Sequence, residues 1–124
     1  MRICFDLDGV ICNLKREGQT YSELEPVEGA IEKLNELKAN GHYIIISTAR
    51  HMKTCNANLG LVNARISFDT LNWLNKFEVP YDEIYFGKPW AEIYIDDNAF
   101  RFKEWSAIDG NAINLPSSSE KNLK

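Results

Sequence analysis

No stretch of this sequence is apolar for the length a membrane helix needs, and its N-terminus lacks the basic-then-apolar order of a signal peptide. No block of lysine and arginine stands out. A net charge of −4 argues against nucleic acid or an anionic membrane as the main partner, although a local cationic pocket would not show in that total. Cysteine is scarce. Cys4, Cys12 and Cys55 are odd in number and have no metal-type spacing, which fits a reducing cytoplasm. Cys4 is expected to pack inside the first strand as a small apolar group. Repeats and linker-like runs are missing too. The 124 residues, 44% hydrophobic and 26% charged, therefore predict one domain over residues 1–115, with a frayed serine- and lysine-rich tail at 116–124.

What the chain does carry begins at Arg2 to Val10, RICFDLDGV. The apolar run Ile3-Cys4-Phe5 leads into Asp6, Leu7, Asp8 and Gly9, so a short buried strand closed by a turn is expected. Asp6 and Asp8 then sit together at the strand's carboxyl end, where ligands and chemistry collect in open α/β sheets. Carboxylates that close repel, so the pair either has a cation or a shared proton, or is an ordinary acidic loop.

Val10 to Leu24 is polar and without period, and reads as a loop or small flap beside that strand end. A helix is expected from Pro26, with Val27, Ala30, Ile31, Leu34 and Leu37 on its buried face and Asn40-Gly41 closing it. Tyr43 to Ile46 predicts a second strand, ending in Ser47-Thr48-Ala49-Arg50. His51 to Arg65 reads as an irregular excursion. A second helix is expected over about Phe68 to Phe77, with Leu71, Leu74 and Phe77 inward. Ile84-Tyr85-Phe86 predicts a third strand closed by Gly87-Lys88-Pro89-Trp90, and Ile93-Tyr94-Ile95 a fourth closed by Asp96-Asp97. A short helix around Phe100 to Trp105 and a weak strand at Ala112 to Leu115 complete the reading. The alternation predicts the α/β class, as a three-layer, Rossmann-like parallel sheet with helices on both faces.

Each expected strand ends in groups useful to chemistry, namely Asp6 and Asp8, Thr48, Lys88, then Asp96 and Asp97. Carboxylates from two strands can hold a hard cation such as Mg²⁺, while a lysine and a hydroxyl can neutralise and hydrogen-bond a phosphoryl group. Phosphoryl transfer is limited mainly by positioning and charge neutralisation, and this set supplies both.

The order DLDGV, a strand ending in Thr48, Lys88, then YIDD resembles phosphatases of the haloacid dehalogenase (HAD) superfamily, from about Arg2 to Phe100. More narrowly, STAR at Ser47 to Arg50, VPYDEI at Val79 to Ile84, GKPW at Gly87 to Trp90 and IDD at Ile95 to Asp97 are similar to small capless members linked to capsular polysaccharide biosynthesis. The resemblance implies a Mg²⁺-dependent phosphomonoesterase acting on a small phosphorylated metabolite, a sugar phosphate. Asp6 would be the nucleophile that forms an aspartyl-phosphate. Asp8 would protonate the leaving oxygen and then activate water. Thr48 would hydrogen-bond the phosphoryl group and Lys88 offset its charge. Asp96, with Asp6 and the backbone carbonyl of Asp8, would bind Mg²⁺, with Asp97 in support. Val10 stands where many members have threonine, which removes one hydrogen bond near the site. The intervals from Asp8 to Thr48 and from Thr48 to Lys88 leave no room for a cap domain. Within that superfamily a missing cap implies either a macromolecular substrate or a homo-oligomer in which a neighbouring subunit closes the site.

Plainer readings stand beside these. Ser47 rather than Thr48 could be the functional hydroxyl, and Asp96-Asp97 could cap the helix after them. Arg50 either clamps a substrate anion or pairs with a surface carboxylate. His51 reads as a loop residue, Tyr81 and Trp90 as packing residues, and Lys15 and Arg16 as solvated charges. A signalling receiver domain uses similar residues, but it needs its acidic pair on the first strand and its phosphorylated aspartate mid-chain. Here the mid-chain strand ends in Ser47-Thr48 and Asp96-Asp97 comes last. A non-catalytic binding module is the third reading, although every catalytic position is filled.

Overall fold

Alternation along three strands decides which side of the sheet is covered. In the computed structural model, which describes residues 1–116, β1 (Arg2–Asp6) pairs in parallel with β2 (Tyr43–Thr48), and β2 with β3 (Glu83–Phe86). The register sets Phe5 against Ile46 and Ile46 against Ile84. These residues join Leu7, Ile11 and Ile44 in the main core, with Ala30, Leu34 and Leu37 of α1 (Ala30–Ala39) and more distant Trp73, Leu74 and Trp105. The alternate set, Cys4, Asp6, Ile45, Ser47 and Tyr85, lies on the other face and is half-buried or exposed. Arg2 ion-pairs with Glu83 at 3.2 Å across that face. The fold is thus α/β with a parallel sheet, but among the described residues helices cover one face, not two. Cys4, expected inside, is exposed for the same reason, since it falls between the two core positions Ile3 and Phe5.

The first helix starts later than Pro26. Pro26 bridges Cys12, the Val27 N–H donates to the Ile11 carbonyl at 2.8 Å, and Gly29 turns with a φ of 84° before Ala30. A side chain at Gly29 would also press on Trp105, its Cβ at 3.2 Å from that of the tryptophan, so only glycine suits this bend. The helix closes as expected at Asn40-Gly41, where the Gly41 and His42 N–H groups donate back to Lys38 and Leu37. The Val10–Leu24 stretch is the expected loop, exposed over Asn13 to Gly18 but anchored at both ends. Ile11, Cys12 and Leu24 are buried in the core, and the Trp73 indole N–H donates to the Leu24 carbonyl at 2.7 Å.

The excursion after Arg50 is half helical. Asn58 caps α2 (Leu59–Val62) by accepting the Leu61 N–H, and the run continues through a π-helical turn at Asn63–Ser67 into α3 (Phe68–Lys76). Val62, Ile66, Thr70, Trp73 and Leu74 form its buried stripe, while Leu71, expected inward, is exposed. The expected fourth strand at Ile93 to Ile95 is unpaired, with Ile93 67% and Ile95 93% exposed. Three apolar residues offer too few ladder hydrogen bonds to hold a strand without cover. Phe100 to Trp105 forms no helix; a 3₁₀ turn, Trp105–Ala107, follows instead, and Ala112 to Leu115 is turn rather than strand. The tail expected at 116–124 lies, beyond Pro116, outside the described residues. No described helix is long and apolar enough to cross a membrane.

Candidate active site

β1 delivers Asp6 to the sheet's carboxyl end, and the chain then reverses over Leu7 to Gly9. Leu7 is fully buried, and its carbonyl accepts the N–H groups of Ile11 and Cys12, both at 2.9 Å. Gly9, at a φ of 87°, donates to the Cys12 carbonyl at 2.7 Å and lets the turn close. Leu7 pins the loop from the core side, so Asp6 and Asp8 flank it at the surface. The Leu7 N–H donates to Asp6 Oδ1 at 2.9 Å.

Lys88 comes to Asp6 from the turn after β3. The N–H groups of Gly87 and Lys88 both donate to the Thr48 carbonyl, at 3.2 and 3.1 Å, which docks this turn on β2. Lys88 Nζ then lies 3.6 Å from Asp6 Oδ2 and 4.3 Å from the centroid of the Tyr94 ring. Partial burial pushes the Asp6 carboxyl above the usual carboxylate range; the Lys88 ammonium and the Leu7 N–H pull it back without cancelling that rise.

Ser47 is Asp6's partner in the β1–β2 register, so it shares the open face with the carboxylate. Thr48 points the other way. It is 1% exposed, and its Oγ1 accepts the Arg50 backbone N–H at 3.1 Å. Of the two readings of a clamp on a substrate anion or the partner of a surface carboxylate, the second describes Arg50, with the part-exposed Asp8 as that carboxylate. Its side chain is buried and grips Asp8, with Nη2 2.8 Å from Oδ1 and Nε 2.9 Å from Oδ2. Thr70, Cys12 and Tyr21 complete its surroundings. Sequence reading missed all three. Thr70 was findable, because it sits on the Val62-Ile66-Thr70 stripe, whereas nothing local marks Cys12 or Tyr21.

Asp96 and Asp97 lie on the exposed segment after Trp90, with Asp96 Oδ1 accepting the Asn98 N–H. Among the described residues no three of His, Cys, Asp and Glu gather as one group. His51 stands at a φ of 61°, with Nδ1 buried and unpartnered among the described residues and its ring 6.0 Å from that of Tyr21. Lys53 Nζ lies 4.5 Å from the centroid of the Trp90 ring. Beside them the loops after β2 and β3 border a shallow, open hollow of about 420 Å³ lined by Met52, Lys53, Asn56, Ala57, Pro89 and Trp90. Tyr81 packs on the core, and Lys15 stays near the surface with Nζ on the Gln19 carbonyl.

No protein-family model and no curated protein matches this chain. A crystal structure of a structural genomics target from Vibrio cholerae does. It is 37% identical, superposes with a TM-score of 0.76, and the match covers 92% of this chain and 89% of that one. Identity and coverage at that level mean that the chain belongs to the same family as the Vibrio cholerae protein.

Proposed function

We propose that this chain is a capless phosphomonoesterase of the haloacid dehalogenase type, working through an aspartyl-phosphate on Asp6. The observation that carries the reading is Asp6 at the carboxyl end of β1, facing the Lys88 ammonium at 3.6 Å, with a second carboxyl two residues on. An Asp6 oxygen attacks phosphorus, the bond from phosphorus to the leaving oxygen breaks, and that oxygen takes the proton of the Asp8 carboxyl. Water then gives a proton to Asp8 and attacks phosphorus, which releases inorganic phosphate and regenerates Asp6. Lys88 offsets charge on the transferring group, and a hydroxyl at the end of β2, Ser47 or Thr48, hydrogen-bonds it.

The substrate class is a small phosphorylated metabolite, a sugar phosphate in cell-surface polysaccharide synthesis. An open hollow of about 420 Å³ beside the Lys88 turn has room for a ligand of that size. Closure of the site by a second copy of the chain belongs to the same proposal. For Mg²⁺ the donors would be Asp6, the Asp8 carbonyl and Asp96, with Asp97 in support. No three of these carboxylates gather as one group among the described residues, and no step above passes through the ion.

Phosphate release from a panel of phosphorylated metabolites, with and without Mg²⁺, tests this for the wild type and Asp6→Asn. Turnover that needs Mg²⁺ and disappears in the variant is the expected result. Turnover surviving in Asp6→Asn sinks the nucleophile, and a stable phospho-aspartate without turnover makes the chain a phospho-accepting regulator.

A further inference from the structure

Both oxygens of Asp8 are held by one side chain. Arg50 Nε lies 2.9 Å from Oδ2 and 3.2 Å from Oδ1, and Nη2 lies 2.8 Å from Oδ1. The arginine is itself enclosed. Its side chain is 0% exposed, Nη1 donates to Thr70 Oγ1 at 3.1 Å, and Nη2 also reaches Cys12 Sγ at 3.5 Å. The Tyr21 ring covers one face of the guanidinium at 4.1 Å, and the Arg50 backbone N–H is fixed on Thr48 Oγ1. Three other stretches of chain, around Cys12, Tyr21 and Thr70, therefore fix this one fork.

Substrate phosphate could reach such a guanidinium only by stripping it of Asp8. Asp8 has the opposite character, because its side chain keeps 24% exposure and so presents an edge to the site. A carboxyl on a turn samples several rotamers when free, whereas a two-point grip fixes both its plane and the lone pair it presents. We infer that Arg50 is a positioning residue, which aims the Asp8 carboxyl at the leaving oxygen and does not bind substrate phosphate. The inference rests on the phosphatase reading above, in which Asp8 donates the proton to that oxygen as the bond to phosphorus breaks.

A misaimed acid harms only reactions that need one. An alkyl phosphate must have its leaving oxygen protonated, whereas p-nitrophenolate leaves unaided, so the ratio of the two reports the aim of Asp8. For Arg50→Lys, which keeps the charge but loses the fork, kcat/KM on glycerol phosphate should fall by roughly 100-fold or more. On p-nitrophenyl phosphate it should fall by less than roughly 10-fold, with a burst of nitrophenolate because water activation by Asp8 is slowed as well. Equal losses on both substrates, carried by KM, would make Arg50 a phosphate clamp and overturn the inference. So would no loss on either. Where Arg50→Lys fails to fold, Thr70→Val removes the acceptor of Nη1 within nearly the same shape, and the same selective loss is expected at smaller size. Wild-type protein that hydrolyses neither phosphate ends the phosphatase reading, not the grip. A double-mutant cycle of Asp8→Asn and Arg50→Lys in urea unfolding then decides. Coupling of roughly 10-fold in the unfolding constant keeps Arg50 as the holder of Asp8, and additive effects overturn it.

Discussion

The indole N–H of Trp105 donates to the carbonyl of Val10 at 2.7 Å, across 95 residues of chain. One end of this bond lies just after the Asp6-Leu7-Asp8 turn and the other in the 3₁₀ turn that follows the 91–104 stretch, exposed but for Phe102. Trp105 also stacks on Phe5 of β1, with ring centroids 5.3 Å apart. Trp105 thus braces the Asp6-Leu7-Asp8 turn from behind.

Trp105→Phe keeps most of that packing and removes the hydrogen bond, leaving a half-buried carbonyl without its partner. A loss of about 1–2 kcal/mol is expected in urea unfolding. Trp105→Ala also opens a cavity against Phe5 and should cost about 3–5 kcal/mol. Equal stabilities for the two variants would mean that packing around Trp105 contributes nothing.

The two hydroxyls at the end of β2 should separate cleanly. Thr48 is buried and holds the Arg50 N–H, so Thr48→Val leaves that donor unpaired and should cost about 1–2 kcal/mol of stability. Ser47 lies half-buried on the Asp6 face, so Ser47→Ala should stay within about 0.5 kcal/mol of wild type while slowing phosphate release. Thermal melts beside turnover on one substrate read both effects. A Ser47→Ala protein with full activity would leave the phosphoryl contact to Thr48.

How far the sequence could be read followed the range of the signal. Helix α1, strands β1 to β3 and the second helix at Phe68 were legible because periodicity and caps are local properties of the chain. The helical run from Leu59 was not, since Asn58, Gly60 and Asn63 read as loop although Val62 and Ile66 continue the stripe of Thr70 and Trp73. Ile93 to Ile95 shows the reverse error, for an apolar triplet implies burial only when another surface meets it. In the site, Asp6, Asp8, Thr48 and Lys88 were expected at strand ends, where topology gathers residues whatever their neighbours are. Alternation turns Thr48 into the core, however, and leaves Ser47, the other hydroxyl considered, on the Asp6 face. Arg50's commitment to Asp8 joins residues 42 apart and leaves no local mark, so an arginine at a strand end read equally as a ligand for substrate or as the partner of some surface carboxylate.

Thiol reactivity tests the sheet's open face. Cys4 is exposed there, while Cys12 and Cys55 are buried, and burial pushes the Cys12 thiol up to about 11 despite Arg50 beside it. An aromatic disulfide reagent at mildly alkaline pH should modify one thiol of the native protein quickly and the other two only after unfolding. Cys4→Ser should abolish the fast phase. If the native protein showed no fast thiol, a second copy or another segment would be covering that face.

Asp6 gives the pH predictions. Its carboxyl lies above the usual range because burial outweighs the Lys88 ammonium 3.6 Å away. Attack on phosphorus needs the ionised form, so turnover should fall as pH drops through that raised pKa. Lys88→Met removes the opposing charge, so the acid limb of kcat/KM should move to higher pH and the maximum fall by roughly 100-fold. Lys88→Arg, which keeps the charge, should leave the limb nearly in place. Stability runs with the opposite sign. A carboxyl raised by folding favours the protonated folded state, so its stabilising contribution is present below the unfolded pKa and is lost as pH rises through the folded one. At neutral pH the ionised Asp6 is therefore a burden on the fold, and Asp6→Asn, inactive by the mechanism above, should unfold at the same or a higher urea concentration than wild type. An Asp6→Asn protein that is clearly less stable at pH 7 would show that the ionised carboxylate holds the turn together, through the Leu7 N–H and Lys88, more strongly than its burial opposes it.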